Sequence, residues 1–409
     1  MNIVFLTLAR IIDIEQRGIY SDLMRKFRDE GHAVYIVCPC ERRLGKMTTL
    51  SEKKGVYVLD VKTLNIQKTN IVEKGIGTLL LERQYKTAIK KYLNGVSFDL
   101  ITYSTPPITF TNVVKYLKKQ NPQALSYLQL KDIFPQNAVD IGMFSKKSLF
   151  YHFFRKKEIE LYKASDYIGC MSPANMEFVR KHNPYYPANN VEVAPNSIEL
   201  SHTNIIERDA IRIKFGIPTD RPVFIYGGNL GKPQGIDHLI KCLDDNKTRK
   251  DCFFVVIGTG TEYPRLKEWY DSLNDIINLS VSVMMGLPKE DYDKLVSSCD
   301  VGLIFLDYRF TIPNYPSRLL SYLENRMPVI CCTDVNTDIG KIAQENGYGY
   351  WCESRNPVEF TILINKILAK PGRIKDMGER GYKYLCQNYL VQNTYDAIMQ
   401  HFLQNNGMT

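Results

Sequence analysis

The sequence predicts an α/β protein made of two doubly wound parallel-sheet domains, and three observations support this prediction. The chain has 409 residues, enough for two domains that each bury a core. Short apolar runs alternate with stretches of helical periodicity, which is the pattern of parallel strands joined by crossover helices. The alternation stops near residues 195–209 and then restarts, which predicts a domain boundary there.

The first series of strands begins at the N-terminus. Asn2–Leu6 is an apolar run without a basic region before it, so we expect a first strand and not a signal peptide. Ile19, Leu23 and Phe27 follow at helical spacing, and a glycine then ends that helix. Further strands are predicted at Ala33–Cys38, Phe98–Thr102, Ala124–Leu128, Tyr167–Met171 and Val191–Ala194.

The second series carries glycines at its strand ends. Its strands are predicted at Arg221–Tyr226, Cys252–Ile257, Asn278–Val283, Val301–Leu306 and Pro328–Cys332. Glycines follow the first three of these strands. Ligands of open α/β sheets bind beyond the carboxyl ends of the strands, so we expect a ligand at these glycines.

Composition excludes several classes of protein. With 44% hydrophobic and 24% charged residues, the chain is neither fibrous nor disordered. No apolar run approaches the ~20 residues that span a bilayer. The ten cysteines include no CxxC pair and lie mostly in strand-like runs, so we expect buried thiols and neither disulfides nor a zinc site.

The positive charge is confined to the first half of the chain. Residues 1–200 hold 29 Lys and Arg against 19 Asp and Glu, a net charge of +10, whereas residues 201–409 hold 24 against 25. This asymmetry suggests that the first half faces an anionic partner: nucleic acid, a membrane surface or a phosphorylated substrate.

Residues 226–237 combine a strand end, a glycine-rich loop and a helix start. Backbone N–H groups in such a turn suit a phosphate or diphosphate, although a tight turn without a ligand explains the loop equally well. Residues 258–260 do not form a GxGxxG fingerprint, and the first βα turn, residues 6–10, has no such glycines. Both observations count against an NAD-dependent dehydrogenase.

Residues 311–330 are the most specific stretch of the sequence. A helix is predicted to open at Pro316-Ser317, and Arg318 in its first turn opposes the helix dipole. That placement is explained if Arg318 serves an anionic ligand; the alternative is an exposed arginine. Glu324 suits a vicinal diol such as ribose, and a solvated helix-end glutamate is the alternative.

These motifs resemble the family 4 glycosyltransferases of the GT-B fold, specifically the bacterial branch that builds surface polysaccharides. The resemblance extends over almost the whole chain, and its strongest parts are residues 225–240, 255–266, 283–288 and 300–332. It implies two Rossmann-like domains facing across a cleft, with the acceptor in residues 1–200 and a nucleotide-sugar in residues 201–385. It also implies that a helix in residues 386–409 packs back on the first domain.

The resemblance implies a donor site in the second domain. Glu324 matches the second glutamate of the family's E-x7-E pattern, which holds the ribose, while the first would fall at Pro316 and is missing. Arg318 would restore the lost positive charge and act in catalysis. The donor sugar would meet Ser317, Arg318 and Leu319; the diphosphate would meet Gly228, Asn229, Lys232, Gln234 and Arg318; the nucleobase would meet Met284, Met285 and Gly286.

The resemblance implies an acceptor site in the first domain. Residues 131–136 are similar to an Asp-aromatic-Pro motif of this branch, which gives Asp132 a catalytic role; a turn-capping aspartate is the alternative. Arg17, Gly18, Lys131 and Asp132 would contact the acceptor. No metal and no cofactor other than the donor substrate is implied.

The implied reaction is retaining transfer of a sugar from a nucleotide diphosphate sugar. We expect UDP as the nucleotide, with GDP left open as the alternative, and an N-acetylated hexosamine as the sugar. The implied acceptor is a polyprenyl-diphosphate-linked glycan in capsule, O-antigen or exopolysaccharide assembly. Basic and aromatic residues interleave at 143–163, so we expect this segment to dock on the anionic inner face of the cytoplasmic membrane. A helix that buries its Phe face is the alternative.

Three other functions stay open at this stage. A nucleotide-sugar 2-epimerase shares the two-domain fold, and a basic protein that binds nucleic acid or membrane without catalysis fits the charge. A structural partner with a dead site fits the missing glutamate at Pro316. No RRM, helix-turn-helix or zinc-finger signature is present, so we expect no nucleic-acid partner.

Overall fold

The computed structural model describes residues 1–66, 69, 71–201, 207–370 and 372–405. They divide into two compact units, Met1–Glu199 with the chain from Leu390 onward, and Leu200–Tyr389. The break predicted at residues 195–209 includes residues 202–206, which lie outside the described residues.

The first unit is built on an eight-stranded sheet. Seven strands are parallel, and β3 pairs with β4 in the antiparallel sense. In spatial order the sheet reads β3-β4-β2-β1-β5-β6-β7-β8. The bounds are β1 Asn2–Leu6, β2 Ala33–Glu41, β3 Thr49–Lys53, β4 Val56–Thr63, β5 Leu100–Ser104, β6 Leu125–Leu130, β7 Tyr167–Cys170 and β8 Val191–Val193.

Helices cover both faces of this sheet. Their bounds are α1 Ile19–Asp29, α2 Ile71–Tyr92, α3 Thr111–Gln120, α4 Gln136–Asp140, α5 Leu149–Lys163 and α6 Pro173–His182. Parallel crossovers are right-handed, so the step from β1 to β2 places α1 on one face of the sheet. The steps from β4 through β5, β6 and β7 to β8 run in the opposite direction and place α2, α3, α5 and α6 on the other face.

The second unit contains a six-stranded, all-parallel sheet in the order β11-β10-β9-β12-β13-β14. The strands are β9 Val223–Asn229, β10 Phe253–Thr259, β11 Val281–Met285, β12 Val301–Phe305, β13 Val329–Thr333 and β14 Gly349–Glu353. The helices are α7 Arg208–Lys214, α8 Ile236–Asn246, α9 Tyr263–Asp271, α10 Lys289–Ser297, α11 Arg318–Glu324, α12 Ile339–Glu345, α13 Pro357–Leu368 and α14 Arg373–Asn388. The strand order reverses between β9 and β12, and this switch point is where a doubly wound sheet opens a crevice.

The chain returns to the first unit for its last helix, α15, Val391–Asn405. The predicted start of this helix at residue 386 is wrong, because residues 386–388 complete α14 and the turn at Tyr389 and Leu390 separates the two helices. Ile398 of α15 is fully buried in the core that α1 shares with the sheet. The Thr394 hydroxyl bonds the hydroxyl of Ser197 at 2.8 Å, so α15 is tied to the end of the first unit.

All ten cysteines are free thiols, and nine of them are buried. The sequence prediction of buried thiols without disulfides is therefore confirmed.

Candidate functional site

The end of β9, residues 227–229, lies at the switch point of the second sheet; we call it the β9 turn, and only glycine fits its first two positions. A Cβ on Gly227 would collide with the hydroxyl and ring of Tyr292. The Gly227 N–H donates to the Tyr322 hydroxyl at 3.1 Å. Gly228 has a φ of 119°, which favours glycine. Two tyrosines from α10 and α11 therefore pack directly against the backbone of this turn.

Arg318, the first residue of α11, faces the same turn. Its guanidinium carbon lies 4.3 Å from the centre of the Tyr226 ring, and Nη2 donates to Oε1 of Gln234 at 2.7 Å. A Cβ on Gly228 would lie 3.9 Å from Nη2. Within the described residues, Nη1 is buried without a hydrogen-bond partner. Such a donor costs about 1–3 kcal/mol unless a ligand satisfies it, so the site is suited to an anion.

The structure brings together three of the five residues predicted to hold a diphosphate: Gly228, Gln234 and Arg318. The other two, Asn229 and Lys232, have exposed side chains beside the turn. Sequence reasoning missed the tyrosines at positions 226, 292 and 322, which surround the cation. No local pattern could reveal them, since they come from three elements far apart in the chain.

The residues predicted to meet the donor sugar differ in availability. Ser317 is exposed and makes no side-chain capping bond to α11. Leu319 is buried, and its N–H donates to the Pro316 carbonyl at 3.3 Å. A contact between the Leu319 N–H and a sugar would therefore have to replace that bond.

Glu324 ends α11, and its carboxylate is engaged within the second unit. Oε1 accepts from the Ser201 N–H at 2.8 Å and from the Ser201 hydroxyl at 3.1 Å. At about 100° per residue, Glu324 lies roughly 120° around the helix from Arg318, whereas Ser321 lies only about 60° away. Tyr322 lies about 40° from Arg318, but its hydroxyl already accepts from the Gly227 N–H. Ser321 is thus the next polar side chain toward the face of α11 that carries Arg318, a relation that the E-x7-E spacing did not indicate.

Met284, Met285 and Gly286, the predicted nucleobase residues, lie at the carboxyl end of β11. Met285 is exposed, and the Gly286 N–H donates to the Gly258 carbonyl at 3.0 Å. Since β11 is two strands from β9, this end of the sheet is about 10 Å from the β9 turn. The predicted base and diphosphate residues therefore share one edge of the second sheet.

Lys131 and Asp132 follow β6 at the carboxyl edge of the first sheet. Their N–H groups both donate to the Thr105 hydroxyl, at 2.9 and 3.1 Å, which fixes the turn. Burial raises the pKa of Asp132 to about 6, and a 3.4 Å hydrogen bond from Asn137 offsets this only in part. Burial also lowers the pKa of Lys131 to about 7. Both groups thus titrate near neutral pH.

Arg17 and Gly18, the other predicted acceptor residues, precede α1. The Arg17 Nη2 donates to the Glu199 carbonyl at 3.0 Å, and the Gly18 N–H donates to the Asp22 carboxylate at 2.9 Å. Asp22 also accepts from Arg25 at 2.7 Å, in a buried network that the sequence did not reveal. Both predicted residues therefore hold the start of α1 in place, whatever they bind.

The basic and aromatic segment at residues 143–163 has two kinds of aromatic side chain. Phe144 and Phe154 pack edge-on against Phe134. Leu149, Phe150 and Phe153 are exposed instead. Two of its cations are neutralised locally, Arg155 by Glu158 and Lys157 by Glu160, which leaves four lysines outside ion pairs with this segment's glutamates: Lys146, Lys147, Lys156 and Lys163.

Among the described residues, no helix is both long and apolar enough to cross a membrane. In the same residues, no three side chains among His, Cys, Asp and Glu converge in a way that could hold a metal ion.

Residues 207–384 match the family model described as "Glycosyl transferases group 1". The chain is 25% identical over 262 residues to "Probable glycosyltransferase WbjE" of Pseudomonas aeruginosa, an alignment that covers 64% of each protein. It is 23% identical over 163 residues to "Putative colanic acid biosynthesis glycosyl transferase WcaI" of Escherichia coli K12, covering 38% of each. The chain thus spans less than two thirds of the length of both curated relatives.

Among solved structures, the chain is similar to Anabaena Alr3699/HepE in complex with UDP. The TM-score is 0.67 at 14% identity, and the alignment covers 99% of this chain and 100% of that one. At this identity the likeness establishes the fold, the GT-B class with two parallel-sheet units, and the predicted fold class is confirmed.

Proposed function

We propose that this chain, whose residues 207–384 match the family model of group 1 glycosyltransferases, transfers a sugar from a UDP-sugar to a lipid-linked glycan with retention of anomeric configuration. The proposed sugar is an N-acetylated hexosamine, and the proposed setting is the assembly of a surface polysaccharide. The names of two similar proteins support parts of this proposal: HepE was solved with UDP, and WcaI is named for colanic acid biosynthesis.

One observation carries the proposal: the unpartnered Nη1 of Arg318 beside the glycine turn of β9. Nη2 is already held by Gln234, so the guanidinium is oriented before a ligand arrives. A charged donor that is held in place in this way binds phosphate oxygens strongly and needs little rearrangement to do so.

In the proposed reaction, the acceptor hydroxyl attacks C1 of the donor sugar on the face from which the diphosphate departs. The C1–O bond to the β-phosphate breaks, the new C1–O bond to the acceptor forms, and the hydroxyl proton passes to a phosphate oxygen. Arg318 stabilises the charge that develops on the diphosphate. Asp132 accepts a hydrogen bond from the acceptor hydroxyl and orients it. The side chains named here perform these steps without a metal ion.

Further residues of the chain take part in the proposed complex with the donor and the acceptor. Glu324 accepts hydrogen bonds from the ribose hydroxyls, and the strand end at Met284–Gly286 lies along the base. The exposed apolar side chains and lysines of residues 143–163 rest on an anionic membrane, from which a lipid-linked acceptor reaches the first unit.

The first test measures binding of UDP and transfer from UDP-N-acetylhexosamines by the wild-type chain and by Arg318→Met, which keeps the packing against Tyr226. Loss of charge-assisted hydrogen bonds of about 1.5–3 kcal/mol should weaken UDP binding roughly 10- to 150-fold. Arg355→Met, at an exposed arginine that pairs with Glu353, is the matched control and should bind UDP normally.

Two results would count against the proposal. Equal UDP affinity in Arg318→Met and the wild type would remove the assigned role of Arg318. Interconversion of the donor without any acceptor would identify an epimerase instead. The anomeric configuration of the product, read by NMR, tests retention.

A further inference from the structure

Helix α2 carries an exposed apolar face that neither the family match nor the proposed site uses. Ile76, Leu79 and Leu80 are exposed, between 39% and 57% of each residue. At about 100° per residue these three positions fall within one sector roughly 100° wide, while Leu81 and Tyr85 on the opposite side are buried. Arg83 and Lys90 continue the exposed sector, and both are exposed.

The α2 face and the exposed face of α5 lie in one layer. The crossovers place α2, α3 and α5 on the same side of the first sheet, with α3 between the other two and in contact with both. Each helix starts at the carboxyl edge of the sheet. At about 1.5 Å per residue, the exposed apolar residues of α2 and α5 named here lie within roughly 15 Å of their helix starts. We call the six side chains Ile76, Leu79, Leu80, Leu149, Phe150 and Phe153 the α2–α5 surface.

Cations lie beside the α2–α5 surface on both of its helices. On the α2 side, Lys86 and Lys90 lie 5.5 and 5.1 Å from the ring centre of Tyr116 in α3. On the α5 side, Lys146, Lys147 and Lys156 are exposed. The nearby acids are engaged, since Glu82 accepts from Asn112 and Glu160 pairs with Lys157. Apolar side chains within a border of basic ones match the headgroup region of an anionic bilayer.

We infer that α2 and α5 together form one membrane-docking surface, in which α2 inserts Ile76, Leu79 and Leu80 beside the side chains of α5. Asp132 follows β6 at the same carboxyl edge, so a bilayer bound here lies next to the proposed acceptor residues. The inference rests on the proposed function in one respect: a lipid-linked acceptor is the reason for the protein to meet a bilayer. The surface itself is defined by the exposure and charge of its residues.

The test is co-sedimentation of the full chain with vesicles of phosphatidylcholine containing phosphatidylglycerol, and with vesicles of phosphatidylcholine alone. Leu79→Ser with Leu80→Ser should lower the partition coefficient roughly tenfold or more, because less apolar area inserts. Phe150→Ser with Phe153→Ser should lower it similarly. Arg83→Glu with Lys90→Glu should lower binding to the vesicles that contain phosphatidylglycerol and leave binding to the phosphatidylcholine vesicles unchanged. Ile213→Ser with Ile277→Ser removes two side chains of the second unit that are more exposed than Leu79 and Leu80, and this variant should bind as the wild type does.

Several outcomes overturn the inference. Wild-type affinity in the Leu79 and Leu80 variant would leave α5 as the docking element without α2. A concentration-dependent dimer that the same substitutions dissolve would mean that a second copy covers α2. If the wild type binds neither kind of vesicle, the α2–α5 surface does not dock on a membrane and the inference is wrong. Vesicle binding without sugar transfer would refute the proposed function and leave this inference standing, so the two failures are distinguishable.

Discussion

Glu324 and Ser321 are two polar side chains of α11 placed to hydrogen-bond a ribose, and they are neighbours three residues apart, about 60° around the helix from each other. Glu324 offers a carboxylate but already accepts two hydrogen bonds from Ser201. Ser321 lies closer to the Arg318 side. A contact with the ribose is therefore best tested with ligands that differ in the sugar hydroxyl alone.

We predict that wild-type protein binds UDP more tightly than 2′-deoxy-UDP and that Glu324→Gln loses this preference. A hydrogen bond to a charged acceptor is worth about 1.5–3 kcal/mol, which sets the expected preference at roughly tenfold or more. Calorimetric titration of both nucleotides measures it. Ser201→Ala, which removes only the hydroxyl donor to Glu324, is the control and should keep the preference. If Ser321→Ala loses it while Glu324→Gln keeps it, the ribose lies on the Arg318 side of α11.

Lys131 and Asp132 predict a narrow pH optimum. Asp132 must be ionised to accept a hydrogen bond from the acceptor, and its pKa is about 6. Lys131 must be protonated to attract an anionic acceptor, and its pKa is about 7. We therefore expect kcat/KM to form a bell with its maximum between these two values. Asp132→Asn should remove the acid limb, and Lys131→Met the alkaline limb.

Stability should depend on Asp132 in the opposite sense to activity. The folded pKa is raised from 3.8 to about 6, so the unfolded chain ionises first and the burial penalty grows as pH rises through that interval. Asp132→Asn should thus gain stability relative to the wild type at pH 8 but not at pH 3. Urea unfolding at the two pH values checks this, and an equal effect at both would contradict the burial of the carboxylate.

At the scale of elements, α15 contributes a buried side chain to the core of the first unit. Ile398 is fully buried against α1, while Leu403 on the same helix is exposed. Ile398→Ala should lower the free energy of unfolding by about 2–5 kcal/mol through the cavity it leaves. Leu403→Ala should change it by less than about 0.5 kcal/mol. Denaturant titration of both variants measures the difference, and similar small effects would show that α15 is not part of the core.

Most strands were predictable from local patterns, but not all of them. The central strands β1, β9, β10 and β12 are apolar runs, and the sequence predicts each of them. The strands β3, β4 and β14 were not predicted: the residues of β3 are mostly exposed and polar, whereas β4 is largely buried and was missed all the same. Residues 143–163 were predicted as one basic and aromatic segment, but which Phe residues face inward depends on Phe134, outside that segment.

At the scale of the whole molecule, the two sheets could be predicted from alternation and its restart, whereas the anion site could be predicted only in part. Arg318 stood out because its charge opposes the helix start. Its neighbours Tyr226 and Tyr292 are apolar-looking residues in a strand and a helix, and only the strand order β9-β12 brings their elements together with α11. Contacts between distant elements leave no trace in local periodicity, which is why the sequence could not predict the tyrosines.

The first unit is discontinuous in sequence, since it uses residues 1–199 and then α15, which follows the whole second unit. On the ribosome, the unit whose synthesis starts first is therefore completed last. Until α15 has been synthesised, the core that α1 shares with the sheet lacks Ile398. The intervening residues 200–389 can fold before then. We therefore expect that residues 1–389, synthesised before α15, expose apolar side chains that the complete first unit buries against Ile398.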